Sequence, residues 1–408
     1  MTASITRSGP AVAIVGGGIG GLTTAIALAR KGVRVEVLEQ AAAIAPVGAS
    51  LQLGPNALRL MGSLGLLPAL REIGVLTPTV ELRRWDDDSP LLRTDLGPAM
   101  EDHFGAPQLD FYRPELQSLL AAEIPPEALR LGARVVRIDQ DDGGADLLLA
   151  DGTRRHADAA IAADGIRSPI RAQLAGRDEP VFSGTVVYRG VVPAEALADL
   201  ELGRENLYWL GPYRHGVSYW ISGRRRLAVN CAIQRAEWAQ ESWTLEAPAE
   251  EAARYLEGWS PHLLERIRRC GTMLRGAVFV RQPIERWVFG RVALLGDSAH
   301  AMEPFQAQGA AQAVEDAFVL AECVADEPGD LPRALGRYER VRMTRAEGLQ
   351  ASSHTAANTF YLPDGDEQRT RDAGYTSLHE KLPWGPRQPI WEHDVRDDLL
   401  AIPPESRR

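Results

Sequence analysis

The stretch LLGDSAHAMEPFQAQGAAQAVEDA, residues 294–317, places Asp297, Ser298 and His300 within four positions. Side chains of these types serve hydrolysis, metal binding, or the cradling of a group that the chain does not itself contain. A serine nucleophile needs a base within hydrogen-bond reach and a third group orienting that base, which adjacency in sequence does not supply. No G-x-S-x-G elbow frames Ser298, so hydrolysis is disfavoured. Asp86, Asp87 and Asp88 form an alternative ligand cluster, but three adjacent acids in a polar stretch read as a solvated turn.

A second constellation lies near the start. AVAIV at 11–15 is a short β-branched run, GGGIGG follows, LTTAIALARKG continues with helical periodicity, and VRVEVLEQ resumes as a strand. Gly16 permits the tight turn, Gly18 removes a side chain where a pyrophosphate approaches the backbone, and Gly21 lets the helix sit against the sheet. The helix N-terminus then faces the phosphates. Glu39 closes the second strand roughly twenty residues on, where a carboxylate accepts hydrogen bonds from ribose hydroxyls. This motif alone leaves NAD and FAD undistinguished.

The bulk of the chain bounds what these residues serve. Its 408 residues, 45% hydrophobic and 25% charged, suffice for two domain-sized units. A net charge of -10 opposes attraction to nucleic acid or an anionic membrane, which leaves small-molecule chemistry. Cys231, Cys270 and Cys323 are odd in number and widely spaced, fitting neither a disulfide framework nor a zinc motif, and imply a reducing, cytoplasmic setting. No run approaches the ~20 apolar residues of a membrane span, and residues 1–10 read as a loose tail rather than a signal peptide.

Two further strand ends complete a set. Residues 157–163 run into Asp164 and Gly165, followed by Ser168 and Arg171, while RVALL runs into Gly296 and Asp297. With the glycine turn and Glu39, these resemble the FAD-dependent aromatic hydroxylases of the para-hydroxybenzoate hydroxylase fold. The salicylate, 3-hydroxybenzoate and 6-hydroxynicotinate hydroxylase branch is the most similar, and VGASLQLGPNALRLMGSLGL at 47–66, which contains Gln52, shares the likeness. Ser298 and His300 then belong to a cofactor cradle. The resemblance implies that Asp297 meets the ribityl hydroxyls and that Gly309, Ala310 and Ala311 open a helix aimed at the electron-rich edge of the flavin ring. It also implies Arg113 near the pyrophosphate, Gln117 near the ribityl chain and the Val135 backbone near adenine.

The implied fold is α/β: a Rossmann-like FAD-binding domain from 11–74, 109–177 and 286–350, an inserted antiparallel-sheet substrate domain from 75–108 and 178–285, and a C-terminal helix and tail over 351–408. LPRALGRYERVRMTRAEGLQASSHTAANTF reads as a long helix, and the tail beyond it either wraps the FAD-binding domain or makes a dimer contact, so monomer and homodimer both stay open. No second strand-turn-helix unit appears, so NADH or NADPH visits transiently, as in the resembled family.

The resemblance implies a monooxygenase in which FAD, reduced by NAD(P)H, forms a C4a-hydroperoxide with O2 and hydroxylates a small aromatic substrate, phenolic or an aromatic acid. In YWLGPYRHGVSYW, residues 215, 217 and 219 share one strand face. Relatives place a histidine and tyrosine at the positions of His215 and Tyr219, over the flavin, and a histidine near its ordinary pKa of about 6.5 suits proton abstraction. Hydroxynicotinate relatives carry histidines where Phe305 and Gln52 stand, so one side of this pocket is more apolar. Arg84, Arg189 and Arg214 are candidates for holding a substrate carboxylate. Lys31 and Lys381 are the only lysines and neither is placed to relay a halogen, so a flavin halogenase is disfavoured. Oxidation or epoxidation of a non-phenolic substrate is the main alternative, and a non-enzymatic flavin-binding regulator the second.

Overall fold

The apolar run Ala11–Val15 is an interior strand of a six-stranded sheet. It lies between Arg34–Leu38 and Ala159–Ala162, paired in parallel with both, and Val292–Leu294 extends the parallel set beyond Ala159–Ala162. Strands buried on both faces need no polar alternation, which is why AVAIV and AAIA read as continuous apolar runs. Helices Ile19–Arg30 and Gly309–Asp326 pack on each other over this sheet. The computed structural model describes residues 9–44, 49–238 and 245–404. Val47 and Gly48 of the 47–66 stretch, and most of the N-terminal tail, lie outside those residues.

A second sheet has eight strands, in spatial order Leu245–Pro248, Thr272–Val280, Val181–Pro193, Arg226–Gln234, Arg214–Ile221, Asn206–Gly211, Thr79–Arg84 and Pro90–Asp95. It is not wholly antiparallel as expected: Asn206–Gly211 pairs in parallel with Thr79–Arg84. The two strands arrive from separate stretches of chain, so no hairpin forces them to run in opposite directions.

The pleat gives this sheet two different faces. Tyr188, Trp209, Trp220 and Cys231 enter a core closed by helices Ala249–Tyr255 and Pro261–Arg269. The alternate positions, among them Arg189, Tyr208, His215, Val217, Tyr219 and Asn230, share the other face, with Tyr208 opposite Val217 and Val217 opposite Asn230.

The long helix spans Leu331–Phe360, so a boundary at 350 falls inside a continuous element whose buried residues run from Leu331 to Ala357. The chain beyond it is more than a tail, with helices Asp366–Lys381, Gln388–Glu392 and Val395–Ala401. Its aromatic residues find partners: Trp391 is buried against Phe104, and Trp384 stacks on His103 with ring centres 4.3 Å apart. Arg59 fastens the segment by donating to the carbonyls of Trp391 (2.9 Å) and His393 (2.8 Å). Among the described residues no helix is long and apolar enough to cross a membrane.

Candidate active site

The glycine turn behaves as its spacing requires. Gly16 has φ +105°, a region that favours glycine, and a Cβ on Gly21 would stand 2.0 Å from the Gly16 carbonyl oxygen. A Cβ on Gly18 would meet nothing within 4 Å, so the backbone here borders open space at the start of helix Ile19–Arg30. Glu39 stands beside the turn. Its carboxylate accepts from the Gly17 amide (2.6 Å) and the Ala41 amide (2.7 Å), and its carbonyl accepts from Ala133 (2.8 Å), two residues before the buried Val135.

Helix Arg113–Ala122 reaches the same place from another side. Gln117 Nε2 donates to the Gly17 carbonyl at 2.6 Å. Arg113 opens the helix with an exposed side chain, and its amide is anchored to the Ala49 carbonyl (3.0 Å).

Asp164 and Gly165 leave the end of Ala159–Ala162, with Gly165 at φ +82°. Neither carboxylate oxygen of Asp164 has a hydrogen-bond partner in good geometry, and burial raises its pKa to about 6, opposed by the nearby Ser168 hydroxyl and the Ile170 amide. Ser168 caps helix Pro169–Leu174 through the Arg171 amide (2.8 Å). The wholly buried Arg171 then donates to the carbonyls of Ser298 (3.1 Å) and Ala299 (2.8 Å), tying the Asp-Gly and Gly-Asp segments together.

The second strand end carries Gly296 and Asp297. Asp297 is exposed between the buried Gly296, at φ +65°, and the buried Ser298. Its Oδ1 lies 3.9 Å from where a Cβ on Gly309 would be. Gly309, Ala310 and Ala311 form the first turn of helix Gly309–Asp326, whose leading amides lack intrahelical acceptors and carry the positive end of its dipole.

Ser298 and His300 do not meet. Ser298 Oγ donates to the Ala162 carbonyl (2.6 Å), and His300 Nε2 lies 2.6 Å from Asp316 Oδ2. They brace the turn, and a serine hydrolase is set aside. Asp88 is likewise committed, accepting from Trp209 Nε1 (2.6 Å) and Ser260 Oγ (2.7 Å).

Beneath the helix start lies a charge network that the motifs did not announce. Arg342 donates to Glu315 (2.8 Å), Asp316 (2.9 Å) and Gln312 Oε1 (2.6 Å), while Arg345 donates to Glu315 (2.8 Å) and Asp316 accepts from the Gly296 amide (3.0 Å). Burial works against the Glu315 carboxylate, but Arg342 and Arg345 overcome it and hold its pKa at about 2. Two acids inside the apolar run AVEDAFVL were the available signal: buried charges demand partners.

The opposite face of the eight-stranded sheet meets this frame. Tyr219 donates to Ser50 Oγ (2.7 Å), Asn230 Nδ2 donates to the same atom (3.2 Å), and Tyr208 donates to Gln52 Oε1 (2.8 Å). Strand Ser50–Leu53 precedes Asn56, which donates to Gln308 Oε1 (3.1 Å) at the start of helix Gly309–Asp326. Gln52 therefore faces the sheet's tyrosines. His215 lies among Phe305, Phe360 and Tyr361, with ring centres 5.5–5.6 Å away. Burial lowers its pKa to about 4, not the near-ordinary value expected from sequence, and Nδ1 has no hydrogen-bond partner.

Of the three candidate arginines, Arg84 is neutralised by Asp86 (3.0 Å) and Asp364 (3.1 Å), and Arg214 sits at the rim beside Tyr213 and Arg235. Arg189 shares the face of Tyr219 and Asn230; burial and neighbouring Arg113 lower its pKa to about 10. Asp110 was missed by sequence reasoning: it is fully buried, accepts from Thr77 (2.6 Å) and Asn206 (2.8 Å), and burial raises its pKa to about 6.

The donor set fits FAD. A glycine turn at a helix N-terminus suits a pyrophosphate, Glu39 a ribose, Asp297 the ribityl hydroxyls, and the Gly309–Ala311 amides an electron-rich ring edge. The family described as FAD binding domain matches residues 10–352. This chain belongs to the FAD-binding aromatic hydroxylases. The 3-amino-4-hydroxybenzoate 2-monooxygenase PtmB3 of Streptomyces platensis is 38% identical over 368 residues, covering 90% of this chain and 93% of the relative. The 6-hydroxynicotinate 3-monooxygenase of Bordetella bronchiseptica is 32% identical, covering 85% and 91%. Among solved structures, a salicylate hydroxylase substrate complex aligns with a TM-score of 0.82 at 26% identity, covering 98% of this chain and all of the other. Klebsiella pneumoniae HpxO, complexed with FAD and uric acid, aligns equally well, with a TM-score of 0.82 at 26% identity, covering 97% and 98%.

Proposed function

We propose that this chain is a single-component FAD-dependent monooxygenase that uses NADH or NADPH and O2 to hydroxylate a small aromatic substrate bearing a phenolic hydroxyl. The observation that carries the reading is the meeting of two surfaces: the frame of Gly16, Gly18, Glu39, Asp297 and the Gly309 helix, and a sheet face bearing His215, Tyr208 and Tyr219. Bound FAD would supply the two-electron and oxygen chemistry. Gly16, Gly18, Gly21 and Arg113 would hold its pyrophosphate, Glu39 and Val135 its adenosine, Gln117, Asp164, Gly165 and Asp297 its ribityl arm, and Gly309, Ala310 and Ala311 its ring edge, with Gln52 alongside.

The chain's own residues prepare the substrate. His215 is uncharged at neutral pH because burial disfavours its imidazolium, so a ring nitrogen can accept a hydrogen bond from the phenol. The same burial weakens it as a base, and proton transfer to it relies on pairing with the phenolate. The resulting imidazolium is compensated by the phenolate formed beside it, and the phenolate's ring is the better nucleophile. Tyr219 stays protonated, its pKa raised by burial, and its oxygen can accept while it donates to Ser50. Phe305, Phe360 and Val217 keep water away. The relatives' names, which describe oxygen insertion into hydroxylated rings, support the phenolic class.

The test is to mix FAD-loaded protein with NADH and a panel of phenols, following NADH and O2 consumption and product mass. At least one phenol should accelerate NADH oxidation and gain one oxygen atom. Unstimulated oxidation with no oxygenated product across the panel would instead assign a flavin-binding protein without this activity.

A further inference from the structure

We propose that Arg387, delivered by the C-terminal segment, recognises a carboxylate on the aromatic substrate and sets the enzyme's preference for acids. This rests on the monooxygenase reading and names the substrate class of that same site.

Arg387 is half-buried at the N-terminus of helix Gln388–Glu392 and crosses to the strand that carries Gln52, 335 residues away in sequence. Its Nη1 donates to Gln52 Oε1 at 3.1 Å, the same oxygen that accepts from the Tyr208 hydroxyl at 2.8 Å. Its guanidinium lies over the Trp391 ring, 5.3 Å from the centroid, which fixes the plane of the fork. Its positive charge acts on Asp110, Tyr208 and Tyr219, so it is felt along the face that carries His215.

A cation so placed normally has an acid beside it. Arg59, Arg84, Arg342 and Arg345 all do, whereas no carboxylate of the described residues lies within ion-pair distance of Arg387. Asp110 lies nearby, but Thr77 and Asn206 already donate to it, and the cross-strand neighbour of Asp110 is Gln52 rather than a charged group. Gln52 takes one donor of the guanidinium, and the rest of a planar fork suits a carboxylate.

The strand register puts both ends of such a site on one face. Tyr208 pairs in register with Val217, two residues along the same face from His215. Two residues of strand span about 7 Å of backbone, so the positions of Tyr208 and His215 are about one aromatic ring apart along the face. A hydroxybenzoate would place its carboxylate at Arg387 and Tyr208 and its hydroxyl toward His215. Arg387 also lies beyond residues 10–352, the span shared with the FAD binding domain family. The shared frame thus supplies the cofactor site, and the terminal segment of this chain supplies the selectivity.

The test uses FAD-loaded full-length protein and titration calorimetry, which requires no turnover. The probes are 2-, 3- and 4-hydroxybenzoate, each against its carboxamide. Wild type should bind its best acid at least about tenfold more tightly than the matching amide, as one charge-assisted pair implies. R387Q should abolish that gap by weakening the acid alone, and R387K should retain part of it. A wild type with no preference for any acid, or an R387Q protein that keeps the gap or weakens acid and amide equally, overturns the proposal. If R387Q fails to retain FAD, R387K decides, and an undiminished gap there overturns it. Preserved acid preference without oxygenation would sink only the monooxygenase reading; oxygenation without acid preference would sink only this one.

Discussion

Two buried polar regions flank the active site, and they are built on opposite plans. Under the flavin helix, Glu315 and Asp316 face Arg342 and Arg345, so each buried charge has an opposite partner. On the sheet side, Asp110 Oδ1, Gln52 Nε2, His215 Nδ1 and Asn230 Oδ1 lack hydrogen-bond partners. A charge-paired network rigidifies what it touches, and this one touches the Gly296 amide and the Gln308 cap. Unmet donors and acceptors are costly in a core, and these four retain hydrogen-bonding capacity for a ligand; Asn56 Oδ1 and His300 Nδ1, at the edge of the helix network, are two more such atoms. The difference separates a charge-paired scaffold beneath the helix start from a face whose polar atoms are left to meet a ligand.

The hardest test of that contrast is Arg342→Met, which leaves Glu315 and Asp316 short of a partner. It should cost about 3–5 kcal/mol, the penalty for stranding buried charge, and release FAD as the Gly296 turn loosens. Urea unfolding and flavin retention measure both, and a variant with wild-type stability would deny the network its structural role.

His215→Phe probes the other region through pH. The folded protein resists protonating His215 until about pH 4, whereas the unfolded chain takes the proton near 6.5. Wild-type stability therefore falls with pH through this window, by roughly 2 kcal/mol from this group between pH 8 and 5. Phenylalanine suits the aromatic surroundings and removes that slope, so the two proteins should draw apart in the variant's favour as pH drops. Parallel pH profiles would show that His215 is solvated.

Tyr219→Phe should have the smallest effect, about 0.5–1.5 kcal/mol for one hydrogen bond, because Ser50 Oγ keeps its donor from Asn230. A loss as large as that of Arg342→Met would erase the distinction between the regions.

The cofactor frame was largely legible because it depends on local geometry. Gly16 and Gly21 are needed wherever a strand turns tightly into a helix, and Asp164 and Asp297 each follow a strand within a few residues. Glu315 and Asp316 were visible as acids in an apolar helix, but their partners lie on the next helix, and no local spacing selects Arg342 over its neighbours. The pKa of His215 was misjudged because burial by Phe305, Phe360 and Tyr361 joins three separate stretches of chain.

By itself, the order of residues determined the strand-turn-helix units, the long helix from Leu331 and the pleat that puts His215 and Tyr219 on one side. These follow from backbone periodicity and steric limits that act over a few residues. Tertiary structure alone decided that Asp297 faces outward, that His215 is desolvated and that Arg387 returns to Gln52. Exposure, dielectric environment and charge pairing depend on which distant segments pack together, and short-range chemistry carries no record of that.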